Sequence, residues 1–132
     1  MKILRNIIRT PDGTLLESRT VHDYVYHKDE NGETYFNDGG KAYLRRSVNI
    51  EPYEDLTIYD TDEIEKIREH FLWGTYGKTG NEKLQYKKLR DMSNMHIKAK
   101  IVDNFCPEHV LNIFKREIEY RNTNNISIKD WF

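Results

Sequence analysis

His22-Asp23-Tyr24-Val25-Tyr26-His27-Lys28-Asp29-Glu30-Asn31-Gly32-Glu33-Thr34-Tyr35-Phe36-Asn37 is the stretch that decides the fold. Residues 22–28 alternate, with Tyr24 and Tyr26 toward one face and Asp23, Val25 and His27 toward the other, the period of a strand. Asp29-Glu30-Asn31-Gly32 is a hairpin turn, because Asn-Gly favours the type I′ geometry that matches strand twist. Residues 33–37 are the returning strand. Toward the N-terminus, residues 3–9 are Ile-rich and alternate loosely. They read as a strand, joined through the turn Pro11-Asp12-Gly13 to a return strand over residues 14–18. Residues 3–37 are therefore expected to form an antiparallel meander.

Toward the C-terminus, Asp38-Gly39-Gly40 breaks the sheet. Residues 42–46 read equally as a short strand or one helical turn. Residues 49–54 are a loop around Pro52, and residues 56–59 a short strand. A helix is expected over 61–72: Asp60 and Glu63 have capping-box spacing, Ile64, Ile67 and Phe71 make one apolar stripe, and Gly74 stops it. A glycine–aromatic loop follows over 73–81, then a strand carrying Leu84, Tyr86 and Lys88. Ser93 caps a helix running to about Phe105, with Met95, Ala99, Val102 and Cys106 on one face. Pro107 opens the last helix at its N1 position, and Val110, Leu111, Phe114 and Ile118 form the buried stripe. Helices thus occupy 93–121, with a polar break at 122–125 and a terminal strand at 126–131. The apolar ending Trp131-Phe132 suggests docking on the domain or on a second subunit. The expectation is an α+β fold in a single domain, 1–132: an antiparallel sheet over 3–59, with helices gathered in the C-terminal half.

Composition sets limits on function. The 132 residues are 37% hydrophobic and 33% charged, and 9 Tyr, 5 Phe and 2 Trp can anchor a core without disulfides or metal. A net charge of −1 argues against a broad nucleic-acid or anionic-membrane surface. The single Cys106 rules out an intrachain disulfide and a cysteine zinc cluster. Residues 1–9 hold no signal-peptide core and no run could span a bilayer, so a cytoplasmic place is expected.

Few constellations point to catalysis. His22 and His27 are five apart on one strand and face opposite sides, and no histidine pair has helical i, i+4 spacing, so no metal site is expected. Cys106 before a helix start, with His109 three residues on, reads either as a thiolate nucleophile or as a small buried thiol. No carboxylate pair predicts an enzyme. Arg45-Arg46 beside Gly39-Gly40, and Arg90-Asp91 before a helix, read as anion contacts or as surface ion pairs. Arg116 and Arg121 read as surface ion pairs. The stretch Phe71-Leu72-Trp73-Gly74-Thr75-Tyr76-Gly77-Lys78-Thr79-Gly80 combines stacking surface, flexible backbone and a cation. That suits a base-and-phosphate ligand and equally an ordinary packed turn.

Leu4-Arg5-Asn6, Arg9-Thr10-Pro11-Asp12-Gly13, His22-Asp23-Tyr24, Asp38-Gly39-Gly40, Tyr43-Leu44-Arg45-Arg46, Trp73-Gly74-Thr75-Tyr76-Gly77-Lys78, Met92-Ser93 and His96-Ile97 together resemble a family of small phage and prophage proteins, the Thoeris anti-defence sponge family. The resemblance spans about residues 4–121. It implies a protein that is not an enzyme and needs no cofactor. It would bind and sequester a cyclic ADP-ribose isomer made by a TIR protein, in the cytoplasm of an infected bacterium. It implies assembly as a homodimer or higher homo-oligomer, no DNA or membrane partner, and, for some members, cyclic oligonucleotides as further ligands. An adenine would want an aromatic face, from Phe71 or Trp73. A pyrophosphate would want Arg9, Arg19, Arg45 and Arg90, and ribose hydroxyls would want Asp91 and Asn94. Residues 74–80 would be the lid. The competing readings are a phage protein that blocks a host defence protein by direct contact, through its tyrosine-rich hairpins and its C-terminal end, and a small nucleotide-processing enzyme using Cys106 and His109.

Overall fold

Ile3–Arg9 (β1) is the strand on which the N-terminal part of the chain is built. The computed structural model describes residues 1–49, 51–77, 79–103 and 106–129. They divide into two compact units, Met1–Thr61 and Asp62–Phe132. Antiparallel strands make up the first and helices dominate the second, so the fold is α+β.

In the first unit β1 pairs antiparallel with Leu15–Ser18 (β2) on one side and with the short strands Glu54–Asp55 (β6) and Ile58–Tyr59 (β7) on the other. The turn between β1 and β2 is the one expected, with Gly13 at φ +92°. Val25–Lys28 (β3), Thr34–Asp38 (β4) and Arg45–Arg46 (β5) form a separate antiparallel sheet, and Gly32 takes φ +83° at the hairpin tip. The single meander over 3–37 is thus corrected to two sheets, because β2 and β3 belong to different ladders. Residues 42–46 resolve into a turn and then β5. Ile8, Leu16 and Tyr35 form a core cluster, with Val25 and Tyr53 against it.

Arg46 locks the two sheets of this unit together. Its side chain is 7% exposed. Its Nε donates to Asn37 Oδ1 at 2.9 Å, and its Nη2 donates to Asn6 Oδ1 and Thr57 Oγ1, each at 2.7 Å. Asn6 Nδ2 in turn donates to the carbonyls of Asp38 and Gly40. Every polar group of that hub finds a partner, as burial demands. Burial pushes the Asp55 carboxyl upward, but Thr57 and Arg46 outweigh it and hold it below the usual range. Gly40, at φ +54°, lies so close to Thr20 that a Cβ would sit 2.2 Å from its carbonyl carbon.

In the second unit Ile64–His70 (α1) is shorter than expected. The capping box does not form: Asp60 Oδ1 accepts instead from the Lys2 amide, and Glu63 caps nothing with its side chain. Phe71 ends the helix in an extended conformation and leads into Leu72–Thr75 (β8), which pairs antiparallel with Gln85–Lys88 (β9). Gly74 is therefore a strand residue opposite Tyr86, not a helix stop. A 3-10 turn at Leu89–Asp91 precedes Asn94–Asp103 (α2), capped by Ser93 Oγ accepting from the His96 amide at 3.0 Å. The buried side of α2 is His96 and Ile97; of the expected stripe Met95 and Val102 are exposed and Ala99 and Cys106 half-buried, so it is not the packed face. Pro107 stands at the N-cap of Glu108–Asn124 (α3), one position earlier than expected, and the helix runs through the expected polar break to Asn125 in the left-handed region. Residues 126–129 are not a strand. They dock on α2: the Asn94 amide donates to Ile128 O at 2.8 Å. The rest of that terminal call, with Trp131-Phe132, lies outside the described residues.

α3 also corrects a second reading. Arg121 is 1% exposed, not a surface residue. Its Nε donates to Glu117 Oε2 at 2.6 Å, Nη1 to Asn94 Oδ1 at 2.6 Å and Nη2 to Leu89 O at 2.9 Å. Glu117, fully buried, also accepts from Arg68 Nε at 2.8 Å. This triad ties α1, α2 and the 3-10 turn to α3. Among the described residues, no helix is long and apolar enough to cross a membrane.

Candidate functional site

Trp73 stands at the middle of the site. As the second residue of β8 it shares a strand face with Thr75, and its ring lies edge-on to Phe114 of α3 at 5.2 Å and 74°. It stays part-exposed. The Lys100 ammonium lies 5.8 Å from its ring centroid. His96 and Lys100 lie one helical turn apart on α2 and, with Trp73, Gly74, Tyr76 and Gly77, line a hollow of about 380 Å³. That volume is at the small end of ligand pockets. Gly77 turns the loop at φ +86° with its amide on Thr75 Oγ1, and the Glu82 carboxylate folds over the space a Cβ would fill. Among the described residues the site thus offers an indole, the Lys100 ammonium and glycine-rich backbone over a buried His96. That set can stack a flat ring and neutralise part of an anion.

The residues expected to bind a ligand are distributed differently. Phe71 is 1% exposed and packs edge-to-face on Phe114 at 6.2 Å, so it is a core residue and offers no face to a base. Arg90 is engaged by Glu69 and sits 3.9 Å from Asp91; that pairing holds the Glu69 carboxyl below its usual range. Asp91 is exposed on the 3-10 turn. Asn94 spends its Oδ1 on Arg121 and on the Ile128 amide. Of the expected set, Trp73 alone lines this hollow.

Arg9, Arg19 and Arg45 belong to the first unit, each beside a carboxylate there: Arg9 with Glu54 at 3.0 Å, Arg19 with Glu17 at 3.7 Å and Arg45 with Asp38 at 3.9 Å. A hollow of about 520 Å³ in that unit is lined by Asp12, Asp29, Glu30 and Glu51 and would repel a phosphate. Beside it His27 Nε2 meets Asp12 Oδ2 at 2.7 Å, and the hydroxyl of Thr10 donates to the same carboxylate. Those two bonds hold the Asp12 carboxyl far below the usual range.

Sequence reasoning missed His96 and Lys100. Their i, i+4 spacing on a helix capped by Ser93 was the available signal, but only the hairpin β8–β9 brings Trp73 beside them. Cys106 is part-buried. Among the described residues no three His, Cys, Asp or Glu side chains converge as a metal site would require. Family models, curated proteins and solved structures return no match to this chain.

Proposed function

We propose that the chain binds a cyclic ADP-ribose isomer made by a TIR protein and holds it intact, as the Thoeris anti-defence sponge family that it resembles does. It would act in the cytoplasm of an infected bacterium, as a homo-oligomer. The ligand's identity and the anti-defence role rest on that resemblance. The choice of residues rests on one observation, the Trp73–Lys100 hollow. Adenine stacks on the indole face and Lys100 takes part of the pyrophosphate charge. Phe71 leaves the contact set and becomes the support behind Phe114.

The test mixes the protein with the product of an activated TIR protein, separates protein from filtrate, and heats the protein fraction. Release of unaltered nucleotide supports a sponge, and release of a changed product supports a nucleotide-processing enzyme. With no nucleotide retained, direct blocking of a defence protein takes its place.

A further inference from the structure

The outer face of the β3–β4–β5 sheet is aromatic where a solvent-facing sheet is normally polar. Register places Tyr26 opposite Phe36, Lys28 opposite Thr34 and Arg45 opposite Asp38. Tyr24, just before β3, stacks on Phe36 at 5.3 Å and 24°, and lies 6.3 Å from Tyr26. Tyr24 and Tyr26 are 53% and 66% exposed. The inward side of the same strands is already used, with Tyr35 in the core cluster and Val25 against it.

Charge on this face points to an anion. Lys28 stands at one end and Arg45 at the other, with the Arg45 guanidinium 5.9 Å from the Phe36 centroid and its side chain 69% exposed. The two rows are four residues apart along β4, roughly 13 Å at the rise of a strand. The carboxylate between them, Asp38, is 12% exposed and already accepts from the Gly39 amide. Exposed rings between two cations on an open antiparallel sheet match unstacked bases flanked by phosphates.

We propose that this face binds a short single-stranded stretch of nucleic acid, about two or three nucleotides, with Tyr26 as the main stacking ring and Lys28 and Arg45 on phosphates. The near-neutral chain excludes a broad duplex surface; a patch with two cations needs none. The patch belongs to the first unit and the Trp73 hollow to the second, so the sponge reading can fail without it.

The test titrates the full chain into fluorescein-labelled (rU)8 and, separately, (dT)8, reading anisotropy. Saturable binding is expected to weaken about sevenfold between 50 and 200 mM salt, as two phosphate contacts on a single strand require. Tyr26→Ala should weaken it about fivefold or more. Lys28→Gln with Arg45→Gln should remove most of the salt dependence, while Lys115→Gln, in the second unit, should change nothing. A preference between the two oligonucleotides identifies the sugar that the patch accepts. Flat anisotropy with both, or unchanged affinity in Tyr26→Ala, overturns the proposal. So does self-association of the wild type, lost in Tyr26→Ala, in a protein that binds neither oligonucleotide.

Discussion

Replacing Glu117 by alanine strikes the ion triad of the second unit at its centre. Glu117 is fully buried and accepts charge-assisted bonds from Arg68 at 2.8 Å and Arg121 at 2.6 Å. Removing it strands a guanidinium that is 1% exposed, with only Asn94 and backbone carbonyls for partners among the described residues. Breaking a buried pair in this way costs about 3–5 kcal/mol, against about 5–15 kcal/mol for a whole domain. In urea, at about 2 kcal/mol/M, the midpoint should fall by roughly 2 M. Arg9→Gln is the comparison, since its pair with Glu54 is 47% and 59% exposed and should cost less than about 1 kcal/mol. Glu117→Leu combined with Arg121→Met should recover much of the loss, because it leaves no unpaired charge. A Glu117→Ala protein whose urea midpoint matches that of Arg9→Gln would refute the reasoning.

Gly40→Ala should cost roughly 2–5 kcal/mol in thermal or urea melts, because a positive φ is combined with a collision against the Thr20 backbone rather than against a movable side chain. Phe71→Ala should cost about 3–5 kcal/mol through a cavity beside Phe114, whereas Phe71→Leu should keep nucleotide retention in the filtration assay. Asp12 sets a pH dependence. The unfolded chain protonates an aspartate near pH 3.9 and folded Asp12 only well below that, so its bonds to Thr10 and His27 favour folding above about pH 4 and lose their effect as pH drops further. Asp12→Asn should flatten the acid limb of the stability curve, and an NMR titration of the Asp12 carboxyl should show no midpoint in the usual range.

The hairpins were legible because Asn31-Gly32 and Pro11-Asp12-Gly13 mark where β1 to β4 turn, although the first is not the expected type I′ turn: Gly32 alone takes positive φ and the loop spans residues 29–33. What stayed hidden was pairing between elements. Nothing local says that Phe71 ends a helix by entering a strand, since that depends on β9 lying beside it. Met95 and Val102 keep helical spacing yet face water, because the side of α2 that packs is chosen by its neighbours. Arg121 reads as a surface charge, and Arg46 as an anion contact or a surface charge, because arginine normally is one. Each is buried only where an amide side chain from another element meets its fork, Asn6 for Arg46 and Asn94 for Arg121. The same blindness left Phe71 and Trp73 as equal candidates for stacking a base and overlooked Lys100, which shares a hollow with Trp73 only after α2 and the β8–β9 hairpin come together.

The most direct measurement is calorimetric titration of a purified TIR-made cyclic ADP-ribose isomer into the wild-type chain, Lys100→Gln and Trp73→Leu, each first shown to be folded by circular dichroism. The account predicts saturable binding by the wild type, weakened about fivefold or more without the ammonium and about tenfold or more without the indole. Absence of heat with the wild type, or equal affinity in all three proteins, would contradict it.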